Sequence, residues 1–247
     1  MVNKRKFIPE GVEDVNAVEY EKKEWMQTKA KEIFRSFGYH QILTPTFEYY
    51  DLFSEIESAI NLDEMYKLID RNGKILVLRP DATIPVARMA ATKYGSIDGY
   101  LKFMYFTSVY RSSDFRAGGK REFTQAGIEY LGNEEPEADA EVIATAIKSL
   151  QNLNFSNIHI DIGQADYFKG LMSELDVSQQ DKNKIRILIE NKNLADLDNT
   201  LEELTISEAS KTLLTNMPFL YGEIDEVINK ARSLAINDTM KKAVDNT

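Results

Sequence analysis

The sequence predicts an α+β fold, a mostly antiparallel sheet flanked by helices. Three observations carry this. Two long strand-like segments, Tyr100–Tyr110 and Arg121–Leu131, follow one another across a single charged, glycine-containing loop. A hairpin signal, Asp70-Arg71-Asn72-Gly73, sits between two short apolar runs. Helix-period segments lie between and after these strands rather than alternating strictly with them, which argues against a parallel α/β sheet.

The first element is an amphipathic helix over residues 18–37. Met26, Ala30, Ile33, Phe34 and Phe37 recur at helical spacing, and Gly38 supplies the stop. A short extended piece, Gln41–Thr44, runs into Pro45, which ends it. Met65–Ile69 and Lys74–Leu78 form the arms of the hairpin. A short helix is expected around Pro85–Tyr94, with Asp81 or Thr83 as its cap and Pro85 in the first turn. After the two long strands comes a helix, Glu137–Leu153, with Ala138, Val142, Ile143, Ala146, Ile147 and Leu150 on one face. Ile158, Ile160 and Ile162 alternate as in a further strand. Beyond Asp166 the pattern is mainly helical, broken at Met217-Pro218.

Composition narrows the functional classes. The 247 residues include 43% hydrophobic residues, 12 Phe and 12 Tyr, enough material for a sizeable core. No run reaches 18 apolar residues, the length a membrane-crossing helix needs. The basic start, Met1 to Lys6, is not followed by an apolar core or a small-residue cleavage site. An ordinary secretory signal is therefore not expected, and the plain reading is a soluble cytoplasmic protein. With no cysteine, the chain has no disulfide, no thiolate nucleophile and no cysteine-ligated metal.

The formal net charge of −10 is unevenly placed. Residues 1–132 hold 19 basic and 19 acidic groups, whereas residues 133–247 hold 11 and 21. The acidic second half repels phosphate backbones, so a general nucleic-acid binder is not expected. The two histidines, His40 and His159, lie far apart and lack metal-ligand spacing. No nucleophile–base set can be assigned, so the residues nominate neither a catalytic group nor a metal site.

Three segments are candidates for binding chemistry. On the strand Arg121–Leu131, side chains alternate faces. Thr124, Ala126, Ile128 and Tyr130 make a largely apolar face suited to packing beneath helices. Gln125, Gly127 and Glu129 make the other. Gln125 and Glu129 are separated by about 13 Å along the strand, with no side chain at Gly127, so the face reads as a trough with an amide at one end and a carboxylate at the other. Ordinary polar residues on a solvent-facing strand would give the same pattern. The preceding loop, Arg111 to Arg121, carries four basic groups, one acid and two adjacent glycines. It suits carboxylate or phosphate oxygens, although solubility alone also accounts for a basic loop. Arg79-Pro80-Asp81-Ala82-Thr83 joins an apolar strand to a helix, where polar groups can either face a pocket or cap the helix.

Taken together, these segments resemble the catalytic core of class II histidyl-tRNA synthetases and, more closely, the paralogous family of ATP phosphoribosyltransferase regulatory subunits. The resemblance begins at Ile8-Pro9-Glu10-Gly11-Val12-Glu13-Asp14. It continues through Phe37-Gly38-Tyr39, Thr44-Pro45 and Phe47-Glu48, which are similar to the class II motif 1 dimer segment. It then takes in Leu78 to Thr83 and the motif 2 region from Tyr110-Arg111 to Glu129. It is strong over residues 7–132 and weaker to the end.

The resemblance implies a class II synthetase-like core over residues 1–165 and a mainly helical insertion over residues 166–247, with the chain ending before the family's last core segment. That segment holds a second histidine-binding stretch and motif 3. Glu129 and Gln125 match positions that hold histidine. Asp81 and Thr83 match the segment recognising its amino group, and Arg111 the motif 2 arginine facing a carboxylate or phosphate. Synthetases usually read R-P-E-G-T where Arg79-Pro80-Asp81-Ala82-Thr83 stands here. They also carry a glutamate contacting adenine where this chain has Ser113, and an R-P-Q-x-G-R loop where it has Phe115 to Lys120. These departures imply a non-catalytic regulatory subunit that mediates feedback inhibition by histidine. Its partners would be a short-form ATP phosphoribosyltransferase catalytic subunit and a second copy of itself, with no cofactor and no membrane or tRNA partner. The alternatives are a synthetase core forming histidyl-adenylate and a purely structural subunit.

Overall fold

The computed structural model describes residues 7–56, 61–96, 98–112 and 119–247. The chain divides into two compact units, Met1–Ile158 and His159–Thr247. Most of the basic loop, residues 113–118 with Ser113 and Arg116, lies outside the described residues.

The first unit opens with α1, Ala17–Ser36. Asn16 and Glu19 close a reciprocal capping box at its start, each side chain accepting from the other's backbone N–H at 3.1–3.2 Å. Gly38, at φ +85°, turns the chain out of the helix. The extended piece after it is shorter than expected: only β1, His40–Gln41, pairs, parallel to β5. Next come β2 (Phe47–Tyr49), the short helix α2 (Asp51–Ser54), β3 (Lys67–Ile69) and β4 (Ile75–Leu78). β3 and β4 form the expected hairpin. Asp70 organises its turn by accepting from the backbone N–H groups of Asn72 and Lys74, both at 2.8 Å.

α3 (Thr83–Lys93) leads to β5 (Leu101–Tyr110), which pairs antiparallel with β6 (Glu122–Leu131) over ten residues each. Among the described residues the unit therefore holds two three-stranded sheets, ordered β1-β5-β6 and β2-β4-β3. One face of the β5–β6 pair carries Phe103 and Tyr105 under α3, where Ala82, Val86, Met89 and Ala90 cover them. On the other face, Met104, Ile128 and Tyr130 pack with Ala30, Phe34 and Tyr39. The apolar face expected of β6 thus packs at Ile128 and Tyr130, whereas Ala126 is exposed. Met26, expected on the buried stripe of α1, is also exposed.

Two expectations are corrected. α4 (Pro136–Asn152) buries Ala138, Thr145 and Ser149, not the larger Val142, Ile143, Ile147 and Leu150, which are only half-buried. The Thr145 and Ser149 hydroxyls each donate to a carbonyl one turn back, at 2.7 Å, so these small side chains enter the core with their polar atoms satisfied. Residues 158–162 alternate as a strand would but belong to none. No described strand pairs with them, and Ile160 and Ile162 are exposed. Alternation alone cannot supply the partner that a strand requires.

The second unit is helical: α5 (Ala165–Ser173), α6 (Gln179–Glu190), α7 (Leu194–Glu203), α8 (Glu208–Asn216), α9 (Ile224–Leu234) and α10 (Asp238–Asp245). Side chains of Ser178, Asn193, Ser207 and Asn237 cap four of these helices. Pro218 follows the end of α8, as the sequence break predicts. Leu171, Ile185, Leu197, Leu214 and Met240 are its fully buried centre. Among the described residues no helix is long and apolar enough to cross a membrane.

Candidate functional site

The site lies where the start of α3 meets the α3-facing side of β5 and β6. Period-2 alternation puts Gln125, Gly127 and Glu129 on that side. Strand register then places Thr107 opposite Gln125, Tyr105 opposite Gly127 and Phe103 opposite Glu129.

Glu129 is half-buried. The hydroxyls of Thr83 and Tyr105 both donate to its Oε1, at 2.8 and 3.2 Å. Burial is the largest influence on its carboxyl and raises its pKa above the ordinary value. The two hydroxyl donors pull it down, and the nearby Asp81 charge adds to the rise. Tyr105 titrates well above the ordinary tyrosine range, because burial and the Glu129 charge disfavour its phenolate.

Asp81 divides its two oxygens. Oδ1 accepts from the Thr83 backbone N–H at 2.7 Å, fixing the first turn of α3. Oδ2 accepts from Gln125 Nε2 at 3.1 Å and lies 4.0 Å from the Arg111 guanidinium. Ala82 stands at the N-cap and no side chain caps α3 there, so neither Asp81 nor Thr83 is the expected cap. Asp81 bonds the Thr83 N–H from the residue before while facing the site, and the hydroxyl of Thr83 serves Glu129. Arg111 also donates from Nε to the Pro80 carbonyl at 2.8 Å and lies over the Phe123 ring. The nominated residues Asp81, Thr83, Arg111, Gln125 and Glu129 all meet here.

Two parts of the sequence reading need revision. Gly127 does not leave an open trough: a Cβ there would fall 2.3 Å from the Tyr105 hydroxyl, so the tyrosine fills the notch. Arg79 is structural. It is 4% exposed, and its guanidinium donates to the carbonyls of Ser108, Thr44 and Pro45 at 2.8, 2.7 and 3.2 Å. Tyr105 is a residue of the candidate site that sequence reasoning missed. It sits on the neighbouring strand, and only the β5–β6 register brings it to Glu129.

The arrangement presents two carboxylates, Asp81 and Glu129, with an amide and a guanidinium beside Asp81. It suits a small ligand with two cationic or N–H-donating groups and an anionic group. Among the described residues, no cluster of three or more histidine or acidic side chains is placed to hold a metal ion. His40 is exposed in β1, and His159 lies 3.0 Å from Asp161.

The sequence profile of the histidyl-tRNA synthetase family matches residues 11–247. The chain belongs to this family. Within it, similar curated relatives carry a different name. The ATP phosphoribosyltransferase regulatory subunit of Acetivibrio thermocellus is 40% identical over 240 residues, covering 97% of this chain and 57% of that relative. The subunit of the same name from Alkaliphilus metalliredigens is 39% identical over 245 residues, covering 99% and 62%. The chain thus spans about three fifths of the length of these relatives. A crystal structure described as an ATP phosphoribosyltransferase regulatory subunit/histidyl-tRNA synthetase, from Bacillus halodurans, superposes with a TM-score of 0.88 at 31% identity, over 97% of this chain and 62% of that one. The histidyl-tRNA synthetase of Nostoc shares the fold at 19% identity, with a TM-score of 0.76 over 97% of this chain and 56% of that one. The α+β class II synthetase-like fold expected from the sequence is the fold of this family.

Proposed function

We propose that this chain is part of a regulatory, non-catalytic subunit of ATP phosphoribosyltransferase that binds histidine and lowers the activity of its catalytic partner. The names of the similar relatives support the assignment. The observation that carries the ligand is the pair of carboxylates, Asp81 and Glu129, bridged at the head of α3 by Thr83, whose backbone N–H bonds one and whose hydroxyl bonds the other, with Gln125 donating to Asp81. Histidine offers a donor group for each carboxylate. Its ammonium goes to Asp81 and the Gln125 carbonyl oxygen, its imidazole to Glu129, and its carboxylate to Arg111. The half-buried Glu129, with its pKa raised by desolvation, gains most from a cationic or N–H partner.

Control follows from linkage: histidine held more tightly in one state of the assembly shifts the population toward that state. The subunit assembles with a short-form catalytic subunit and with a second copy of itself, in the cytoplasm. The exposed apolar side chains Phe47 and Tyr49 on β2, within the motif 1-like segment, support the self-contact.

The deciding experiment is phosphoribosyl-ATP formation by a short-form catalytic subunit, with and without this chain and then with histidine. Activity that depends on the chain and falls with histidine supports the proposal. Dependence without histidine sensitivity makes the chain a scaffold. No dependence, together with histidine-driven ATP–pyrophosphate exchange by the chain alone, makes it a synthetase core.

A further inference from the structure

Two polar atoms at the Asp81 end of the site have no hydrogen-bond partner among the described residues: Gln125 Oε1 and Thr107 Oγ1. Both are buried, and Thr107 is only 6% exposed. They belong to residues directly opposite each other on β5 and β6, on the same face of the sheet. Gln125 is oriented by its amide N–H group, which donates to Asp81, so its oxygen is turned away from that bond. Among the described residues, folding removes both atoms from water and returns no hydrogen bond to either, an arrangement that native interiors rarely keep.

We propose that Thr107 is a further binding residue: its hydroxyl and the Gln125 oxygen form a polar subsite that receives the ammonium end of the bound amino acid. This rests on the histidine-binding reading above and extends it to a strand that reading does not use. The chemistry is specific. An ammonium has three N–H donors; Asp81 Oδ2, Gln125 Oε1 and Thr107 Oγ1 are acceptors from three separate segments converging at this end. A subsite left unsatisfied until ligand arrives costs the unliganded protein stability and gives that energy back on binding.

The test separates a binding hydroxyl from a structural one. Thr107→Val keeps the shape and removes the hydroxyl, whereas Thr107→Ser keeps the hydroxyl. Histidine affinity by calorimetry and the thermal midpoint without ligand are measured for both variants, with Glu129→Gln as the control for the site itself. The expected result for Thr107→Val is histidine binding weakened about ten- to a hundredfold, the worth of one hydrogen bond from a charged donor. Its unliganded midpoint should be unchanged or raised. Thr107→Ser should bind as the unaltered protein does. Unchanged affinity in Thr107→Val, while Glu129→Gln abolishes binding, overturns the Thr107 assignment and leaves the histidine site standing. A midpoint lowered by several degrees in Thr107→Val makes the hydroxyl structural and also overturns it. If the unaltered protein fails to bind histidine, or Glu129→Gln binds it normally, the histidine site itself falls and this subsite with it.

Discussion

The Thr83 hydroxyl donates to Glu129 Oε1 across 2.8 Å, tying the first residue of α3 to β6 near the Leu101–Leu131 end of the β5–β6 pair. Glutamine at position 129 keeps an oxygen able to accept this bond and the one from Tyr105, but loses the charge. In the folded protein Glu129 holds its proton to a higher pH than its ordinary value of 4.5. Its contribution to stability is therefore full below about pH 4.5 and is lost as pH rises through the raised pKa. Glu129→Gln is expected to raise stability without ligand at neutral pH by about 1 kcal/mol, and to flatten the fall of the thermal midpoint between pH 4 and 7. Histidine affinity should drop at least about thirtyfold, since a buried charged partner is worth roughly 2–5 kcal/mol. Melting curves across that pH range check the sign; parallel curves for the two proteins would contradict it.

Gly127 has no room for a side chain. An added Cβ would meet the Tyr105 hydroxyl at 2.3 Å and its Cζ at 2.4 Å, and Tyr105 is only 5% exposed beneath α3. The ring cannot swing away without repacking Ala82, Val86 and Met89. Gly127→Ala should cost roughly 1–3 kcal/mol, read as a lower urea midpoint, and should weaken histidine binding by displacing the Tyr105 hydroxyl from Glu129.

Arg79 answers a different need. Its planar guanidinium reaches three backbone carbonyls on two segments, Thr44–Pro45 and β5, and burial lowers its pKa. Lysine carries the charge but not the fork. Arg79→Lys is expected to destabilise the first unit by about 2–4 kcal/mol, measured by denaturant titration. A change within 0.5 kcal/mol would show that these contacts are dispensable.

Lys102 joins α4 to the sheet. Its Nζ lies 2.7 Å from Glu141 and 4.5 Å from the centre of the Tyr130 ring, while the Tyr39 hydroxyl donates to the same glutamate at 3.1 Å. Lys102→Met removes a cation and leaves a partly buried carboxylate with one partner fewer. A loss of about 1–3 kcal/mol is expected, and Glu141→Gln in the same chain should recover part of it. Strictly additive losses in the double variant would show no coupling.

The long β5–β6 pair, the Asp70–Gly73 hairpin and the capped helices were legible because each rests on local chemistry: alternation, turn residues and side-chain caps. The five nominated site residues also converge. Gln125 and Glu129 share a face by strand period alone, while Asp81, Thr83 and Arg111 came from the family resemblance. What the sequence hid depends on contacts between elements. Tyr105 and Thr107 enter through β5–β6 register, which no single strand encodes. The structural role of Arg79, in the same candidate segment as Asp81, was hidden because its three carbonyl partners lie 29 to 35 positions away. The strand expected at Ile158–Ile162 failed for a related reason: its alternation was read correctly, but a strand is made by its neighbour.

α3 touches the rest of the first unit at two functional places. At its head, Asp81 and Thr83 meet the ligand-facing side of the sheet. Five residues after Thr83, Arg88 forms a two-pronged bond, at 3.0 and 2.7 Å, with Glu48 at the centre of β2. Glu48 is flanked there by the outward-facing Phe47 and Tyr49. A hydrogen-bonded helix rises about 1.5 Å per residue and resists compression, so α3 behaves as a short strut. A ligand that draws Asp81 Oδ2 toward itself pulls on the same carboxylate that anchors the strut's first turn. On the proposed histidine-binding reading, that pull reaches β2, which bears the exposed Phe47 and Tyr49, through the Arg88–Glu48 pair. Occupancy of a pocket and the posture of a contact surface are thereby placed on one lever.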